Sequence, residues 1–342
     1  MASTFQNLRH SCLKSMSHNR IHKCIRMFSS QSLTNTDVRK KRIELFDKEK
    51  ERQVGLVTRV EKIEVKHVGI PEDCTLIMNK YLSTPFNCAM HMQELLMTRS
   101  ALALVNGQPW DMHRPLETDC EIKFLHFEEE DPRIVNNAFW RTCSFVLGHV
   151  LETAFQDKFY IELCSFPSPN VSSGSFVYDA DLKLGDWKPS KTELNCLSRI
   201  GLRLNFADLK FQRLDVPVSV AQDMFSDNRF KRAQIPAIAS KSKSGSTVTM
   251  YRMGDHIDIS AGPMIANTSQ IGRYSITAIH DIESPSFGKL SRVQGLALPT
   301  QIMLHSWTYD TILRPRAAKL NPGPLPDLKA PETHIQQQLP SH

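Results

Sequence analysis

The chain first shows itself as a run of short periodic segments. KIEVKHV (62–68) puts an apolar side chain at every second position, as a strand with one buried face requires. Thr75 to Met78 reads as a second short strand. PFNCAMHMQELLMT (85–98) instead spaces its apolar residues at helical intervals, and Pro85 suits a helix's first turn. ALALV (101–105) is a short continuous apolar run, the mark of a buried strand. Asn106-Gly107 follows as a turn, and EIKFLHF (121–127) alternates again. Strand, strand, helix, strand, strand predicts a small β-grasp unit of α+β type over residues 60–128.

Two helices flank this unit. KKRIELFDKEKERQ is rich in strong helix formers and mixes both charges, so residues 37–56 are expected to be helical with Asp37 as N-cap. Two readings of that helix stand open, a solvated surface element and a partner-docking element. After the acidic linker Glu128–Asp131, residues 139–155 place Phe139, Phe145, Val146, Val150 and Phe155 at helical spacing.

Composition adds a targeting signal. Met1 to Thr36 contains no Asp or Glu, but holds Arg9, Lys14, Arg20, Lys23, Arg26, three His and many Ser. Basic, Ser-rich and acid-free is the composition of a mitochondrial transit peptide, here assigned to residues 1–28 with cleavage after Phe28. Its removal takes five of 42 basic residues, leaving 37 against 36 acids. The mature chain is therefore near neutral, and bulk charge does not argue for nucleic-acid binding. Eight cysteines without a CxxC pair read as free thiols in a reducing compartment. No apolar run approaches the ~18 to 20 residues of a membrane helix, so no membrane insertion is expected.

Several blocks carry a family resemblance. LVNGQPWDMHRPLETDCEIKFLHFEEED resembles the end of a TGS domain, the ubiquitin-like module that opens threonyl-tRNA synthetases. FWRTCSFVLG resembles the FWHSSAHVLG that begins the synthetase editing domain. SSGSFVYDADL, AQDMFSDNRFKRAQI and MYRMGDHIDISAGPMIANTSQIGRYSITAI continue the match in order. The last is similar to the family stretch GDxxDLCRGPHxPxTGxIxxFKL. LSRVQGLALPTQIMLHSWTYDTI resembles the segment leading toward the catalytic core. Collinear blocks over residues 60–318 are far harder to obtain by chance than one short motif. The resemblance implies an α+β chain, a β-grasp TGS domain followed by a threonyl/alanyl-tRNA synthetase editing-like domain. The expected divisions are an N-terminal helical extension (29–59), the TGS domain (60–128), the editing-like domain (132–285), a C-terminal helical segment (286–318) and a disordered tail (319–342). The resemblance stops at 319, before the aminoacylation core and anticodon-binding domain.

In the resembled family two His four apart on a helix, with a Cys and a His four apart after a strand, line the editing pocket. Imidazoles at i and i+4 share one helix face and can converge on an ester or a metal. The matching positions here are Arg141, Phe145, Ser260 and Met264. None is retained. Phe and Met perform no acid–base chemistry, Arg is no base at neutral pH, and Ser260 has no evident base beside it. Of the possible substitutes, His149, His256 and His280 read as surface or hydrogen-bonded core histidines, and Cys143 as a core thiol.

The expectation is a protein that is not an enzyme, with no catalytic residues, cofactor, metal or small-molecule substrate. It resembles a synthetase-derived family of proteins of the mitochondrial large ribosomal subunit. That resemblance implies a matrix location and large-subunit ribosomal proteins as partners, with mitochondrial rRNA an open second contact. Residues 191–243 carry ten Lys and Arg against five acids. The RNA-contact candidates are Arg229, Lys231, Arg232, Lys241 and Lys243, with a solvated helix face as the competing reading. A free-standing trans-editing deacylase of mischarged tRNA and a regulatory partner of a threonyl-tRNA synthetase are the alternatives.

Overall fold

A computed structural model describes residues 33–185 and 187–328, so the segment 1–28 expected to be a transit peptide lies outside the described residues. Strands β1 (Lys62–His67) and β2 (Cys74–Asn79) form a hairpin, with Lys62 opposite Asn79 and His67 opposite Cys74. The alternation read in β1 is obeyed: Ile63, Val65 and His67 turn inward while Lys62, Glu64 and Lys66 face water. Strands β3 (Leu102–Val105), β4 (Gln108–Trp110) and β5 (Cys120–Leu125) complete a sheet of order β2-β1-β5-β3-β4, with β5 parallel to β1. This is the expected β-grasp arrangement. Helix α1 (Asn35–Gly55) precedes it.

The helix expected across 85–98 is broken. Helix α2 (Pro85–Met92) is capped by Thr84, with Asn87 closing a capping box and Pro85 in the first turn. Gln93 is extended at φ −160°, and the chain restarts as α3 (Glu94–Arg99).

The second unit is built around α4 (Arg133–Ala154). Nearly every residue from Ala138 to Glu152 is buried, because a helix apolar on all sides can only be central. Against it lies a four-stranded sheet of order β11-β12-β7-β6, formed by β6 (Glu162–Ser165), β7 (Phe176–Asp181), β11 (Ile271–Ser284) and β12 (Gly288–Pro299). Helix α5 (Lys191–Ala207) packs on β11. A three-stranded sheet, β10-β9-β8, follows from β8 (Gln212–Pro217), β9 (Thr247–Met253) and β10 (His256–Ile259). Helices α6 (Val218–Met224) and α7 (Arg229–Ser240) cover that smaller sheet. Among the described residues no helix is long and apolar enough to cross a membrane.

Four further expectations need correction. The helical segment assigned to 286–318 begins as β12, which pairs with β11 and β7 and is buried on both faces along much of its length. A continuous apolar run fits a buried strand as well as a helix, and sheet pairing decides. Helical turns appear from residue 306 onward, through Thr308–Leu313 and into α8 (Arg314–Ala317).

The tail is not free from 319. Arg292, buried on β12, donates to the carbonyls of Asn321 at 3.1 Å, Gly323 at 2.7 Å and Pro324 at 2.8 Å. The same guanidinium forks onto Asp179 with two bonds of 2.8 Å. A charge that deep must be paired, and the tail's carbonyls complete the pairing. Residues 329–342 lie outside the described residues.

Helix α1 starts two residues earlier than read. Thr34 is its N-cap and Asp37 the third residue inside. It docks on its own chain rather than standing in solvent. Phe46 is fully buried among Leu214, Val216, Val248 and Ile257, and Arg42 reaches Glu152 at 2.7 Å. The fourth correction concerns Lys231 and belongs with the site.

Candidate functional site

The positions that would line an editing cleft come from α4 and the loop after β10. Phe145, fully buried, stands edge-on to Phe211 at 6.0 Å, Tyr251 at 6.5 Å and His256 at 4.8 Å between centroids. Its ring fills the space between these three aromatic neighbours. One turn earlier, Arg141 donates to the Pro263 carbonyl at 3.3 Å and ties helix to loop. Thr142 donates to the Ala138 carbonyl at 2.8 Å, receives the Ile265 N–H at 3.1 Å and lies 3.5 Å from the Met264 sulfur. Met264 is fully buried in the same cluster as Phe145. The Ser260 hydroxyl accepts the Gly262 N–H at 3.3 Å and so braces its own loop. The structure thus brings these positions together, but around packed side chains rather than an open pocket.

Sequence reading missed what closes the site. Tyr251 on β9 drives its hydroxyl against Gly262, where a Cβ would lie 1.9 Å from that oxygen. Gly262 also sits at φ 66°, which favours glycine on backbone grounds alone. The Tyr251 hydroxyl donates to Asp111, which also accepts the Met264 N–H at 2.8 Å. Arg213 stands 3.9 Å from the same carboxylate. Burial pushes the Asp111 carboxyl up, against the Met264 N–H, Arg213 and the Tyr251 hydroxyl, which pull it down. Asp111 belongs to the β-grasp unit, and Ala266 of the second unit joins the β-grasp core. Open space lies elsewhere, in a groove of about 780 Å³ between the end of α1, β8 and the β-grasp unit.

The histidines serve structure. His256 is buried with Nδ1 2.7 Å from Glu152 Oε2, and Glu152 is held on its other oxygen by Arg42. Burial acts to raise the Glu152 carboxyl, but Arg42 and His256 outweigh it and hold it at about 2. His149, 5.8 Å from His256 between ring centroids, is pushed down to about 4 by burial and then by His256. His280 meets the Ala318 carbonyl at 3.0 Å, which helps seat the tail. Cys143 is buried, and burial alone lifts its thiol.

The basic candidates divide. Lys231 does not face solvent: its ammonium lies 2.6 Å from Asp258 and 3.0 Å from the Tyr178 hydroxyl, all buried. That placement overturns it as an RNA contact, since a cation sealed against a carboxylate cannot reach a phosphate. Helical period carried the signal, because Lys231, Ile235 and Ala239 fall on one face and all three are buried. Arg229 is exposed but engaged, with Asp181 at 2.6 Å and Glu162 at 3.5 Å. Arg232, Lys241 and Lys243 are exposed.

Comparison with known proteins adds three findings. Residues 72–126 match the TGS domain family. Over 302 residues the chain is 47% identical to large ribosomal subunit protein mL39 of Drosophila melanogaster, covering 87% of this chain and 89% of that protein. It is also 32% identical over 218 residues to threonine--tRNA ligase 2, cytoplasmic, of Bos taurus and to threonine--tRNA ligase, mitochondrial, of Rattus norvegicus. Those alignments cover 63% and 62% of this chain but only 28% of each ligase.

Proposed function

The chain belongs to the family of large ribosomal subunit protein mL39, and from that premise we propose that it is a non-catalytic structural component of the mitochondrial ribosome's large subunit. The observation that carries the reading is the filled cleft. Phe145 and Met264 stand where the related ligases' editing chemistry would need imidazoles, and Tyr251 and Asp111 seal the space between them. A fold kept with its chemistry erased suits a scaffold.

In this role residues 1–28 deliver the chain to the matrix, and neighbouring large-subunit proteins are its partners. Contact with mitochondrial rRNA is the finer reading. Among the cations singled out from the sequence it rests on exposed Arg232, Lys241 and Lys243. Residues 60–128 and 132–285 act as the TGS and editing-like domains, joined through Asp111.

The test is sedimentation of tagged full-length chain from lysed mitochondria. The expected result is migration with large-subunit rRNA and proteins. A chain remaining at the top of the gradient would overturn the proposal. A parallel assay for serine release from Ser-tRNA(Thr) should show none. Release that disappears in Ser260→Ala would return the deacylase reading.

A further inference from the structure

Helix α5 buries one face and leaves the other with no partner among the described residues. Leu197, Gly201 and Leu204 turn inward, with Gly201 so close to Tyr274 that a Cβ would lie 2.5 Å from the ring. Opposite them Cys196, Arg199, Arg203 and Phe206 succeed one another at steps of three and four residues, a single exposed stripe.

Three side chains of this stripe, Arg199, Arg203 and Phe206, have no structural use among the described residues. Arg199 and Arg203 make no ion pair or hydrogen bond among the described residues, whereas Arg42, Arg114, Arg213, Arg229, Arg252 and Arg292 each hold a carboxylate. The one acid within α5, Glu193, is spent on the helix start, accepting from Ser190 and Trp187, and Asp208 lies beyond the last turn as C-cap. Phe206 keeps 85% of its surface in water. Arg314 donates to Asn195 at 3.2 Å beside the stripe but, unlike Arg199 and Arg203, is paired with a carboxylate, Asp310 at 3.2 Å.

We propose that this face of α5 binds single-stranded RNA. Arg199 and Arg203, one helical turn apart at about 6 Å of rise, take neighbouring phosphates of an unpaired segment. Phe206 offers its ring to a splayed base. The charge complementarity favours a polyanion, and an exposed aromatic beside unpaired guanidinium groups is what base stacking next to backbone contact requires. The inference rests on the ribosomal reading but is tested apart from it.

The probe is a labelled, short, mixed-sequence single-stranded RNA, titrated with full-length protein at several salt concentrations. All three side chains are exposed, so Arg199→Ala/Arg203→Ala and Phe206→Ala should keep the parent's melting temperature. The double variant should bind at least tenfold more weakly at moderate salt, and its log K against log salt slope should fall by about 1.4, the value for two phosphates on a single strand. Phe206→Ala should weaken binding about tenfold with the slope unchanged. Arg199→Lys/Arg203→Lys should keep the parent's slope. Variants binding the RNA like the parent would overturn the proposal. So would a double variant that drops out of large subunits while its RNA affinity is intact, because the face would then hold a protein. Failure of the parent to sediment with large subunits speaks against the ribosomal reading instead.

Discussion

The Asp111 carboxylate accepts the Tyr251 hydroxyl at 2.9 Å on each of its oxygens, across 140 positions of sequence. One unit of the chain is thereby bonded to buried groups of the other. The acid comes from the turn after β4, the phenol from β9, and the Met264 N–H completes the set. Closing the cleft and joining the two units are a single act.

Replacing Asp111 with Ala therefore leaves a buried hydroxyl and a buried N–H without their acceptor. A loss of about 2 to 4 kcal/mol is expected from chemical denaturation of the full chain. Asp111→Asn keeps an amide oxygen as acceptor and should lose clearly less. An alanine variant as stable as the parent would show that the bond does not hold the units together.

Phe145 fills the cleft, so Phe145→Ala should cost about 3 to 5 kcal/mol, the range for removing a buried aromatic ring. Phe145→Leu should cost less, since it leaves less empty volume. Equal denaturation midpoints for parent and alanine variant would mean the ring does not fill the cleft.

Arg292 makes the tail part of the fold. A chain stopped after Leu320 strips three carbonyl acceptors from a buried guanidinium, and the expected penalty is about 2 kcal/mol or more. A chain stopped after Leu328 should melt with the parent. The comparison of melting temperatures isolates residues 321–328, and two identical truncations would argue against the clamp.

Stability should fall on mild acidification. Burial, reinforced by His256 for His149 and by Lys210 for His113, pushes both imidazoles down to about 4 from an ordinary 6.5. The fold holds them neutral, so protons favour the unfolded chain. Their contribution is complete above 6.5 and is lost as the pH falls toward 4, by at most roughly 3 kcal/mol each. Glu152, held at about 2, adds stability above its ordinary 4.5 and surrenders it below. Denaturation midpoints measured across this range should decline, and His149→Gln with His113→Gln should flatten the upper part. A parent profile already flat between 6.5 and 4 would contradict this.

Much of the fold could be read from local pattern. The β1 alternation, the Asn106-Gly107 turn and the helical spacing of residues 139–155 all correspond to observed elements. Their causes are local: strand pleat, turn geometry and helix period act within a few residues. The reading failed where the deciding contact was remote. LSRVQGLALPT looks the same as helix or as buried strand until β7 and β11 lie on either side of it. RFKR looks like a basic cluster until Asp258, on a strand well along the chain, reaches Lys231.

By itself the sequence determined the class of the molecule: the β-grasp unit and the editing-like blocks, with the resemblance matching Arg141, Phe145, Ser260 and Met264 to the four editing positions. Residue identity suffices for that, because a side chain without a titratable group near neutrality cannot shuttle protons in any fold. Only the tertiary structure decided what occupies the vacated cleft, which cations remain free and where the tail goes. Those outcomes depend on burial, and burial is set by residues distant in sequence. Asp111 against Tyr251 and Arg292 against the tail acquire their roles only when the chain brings them out of water together.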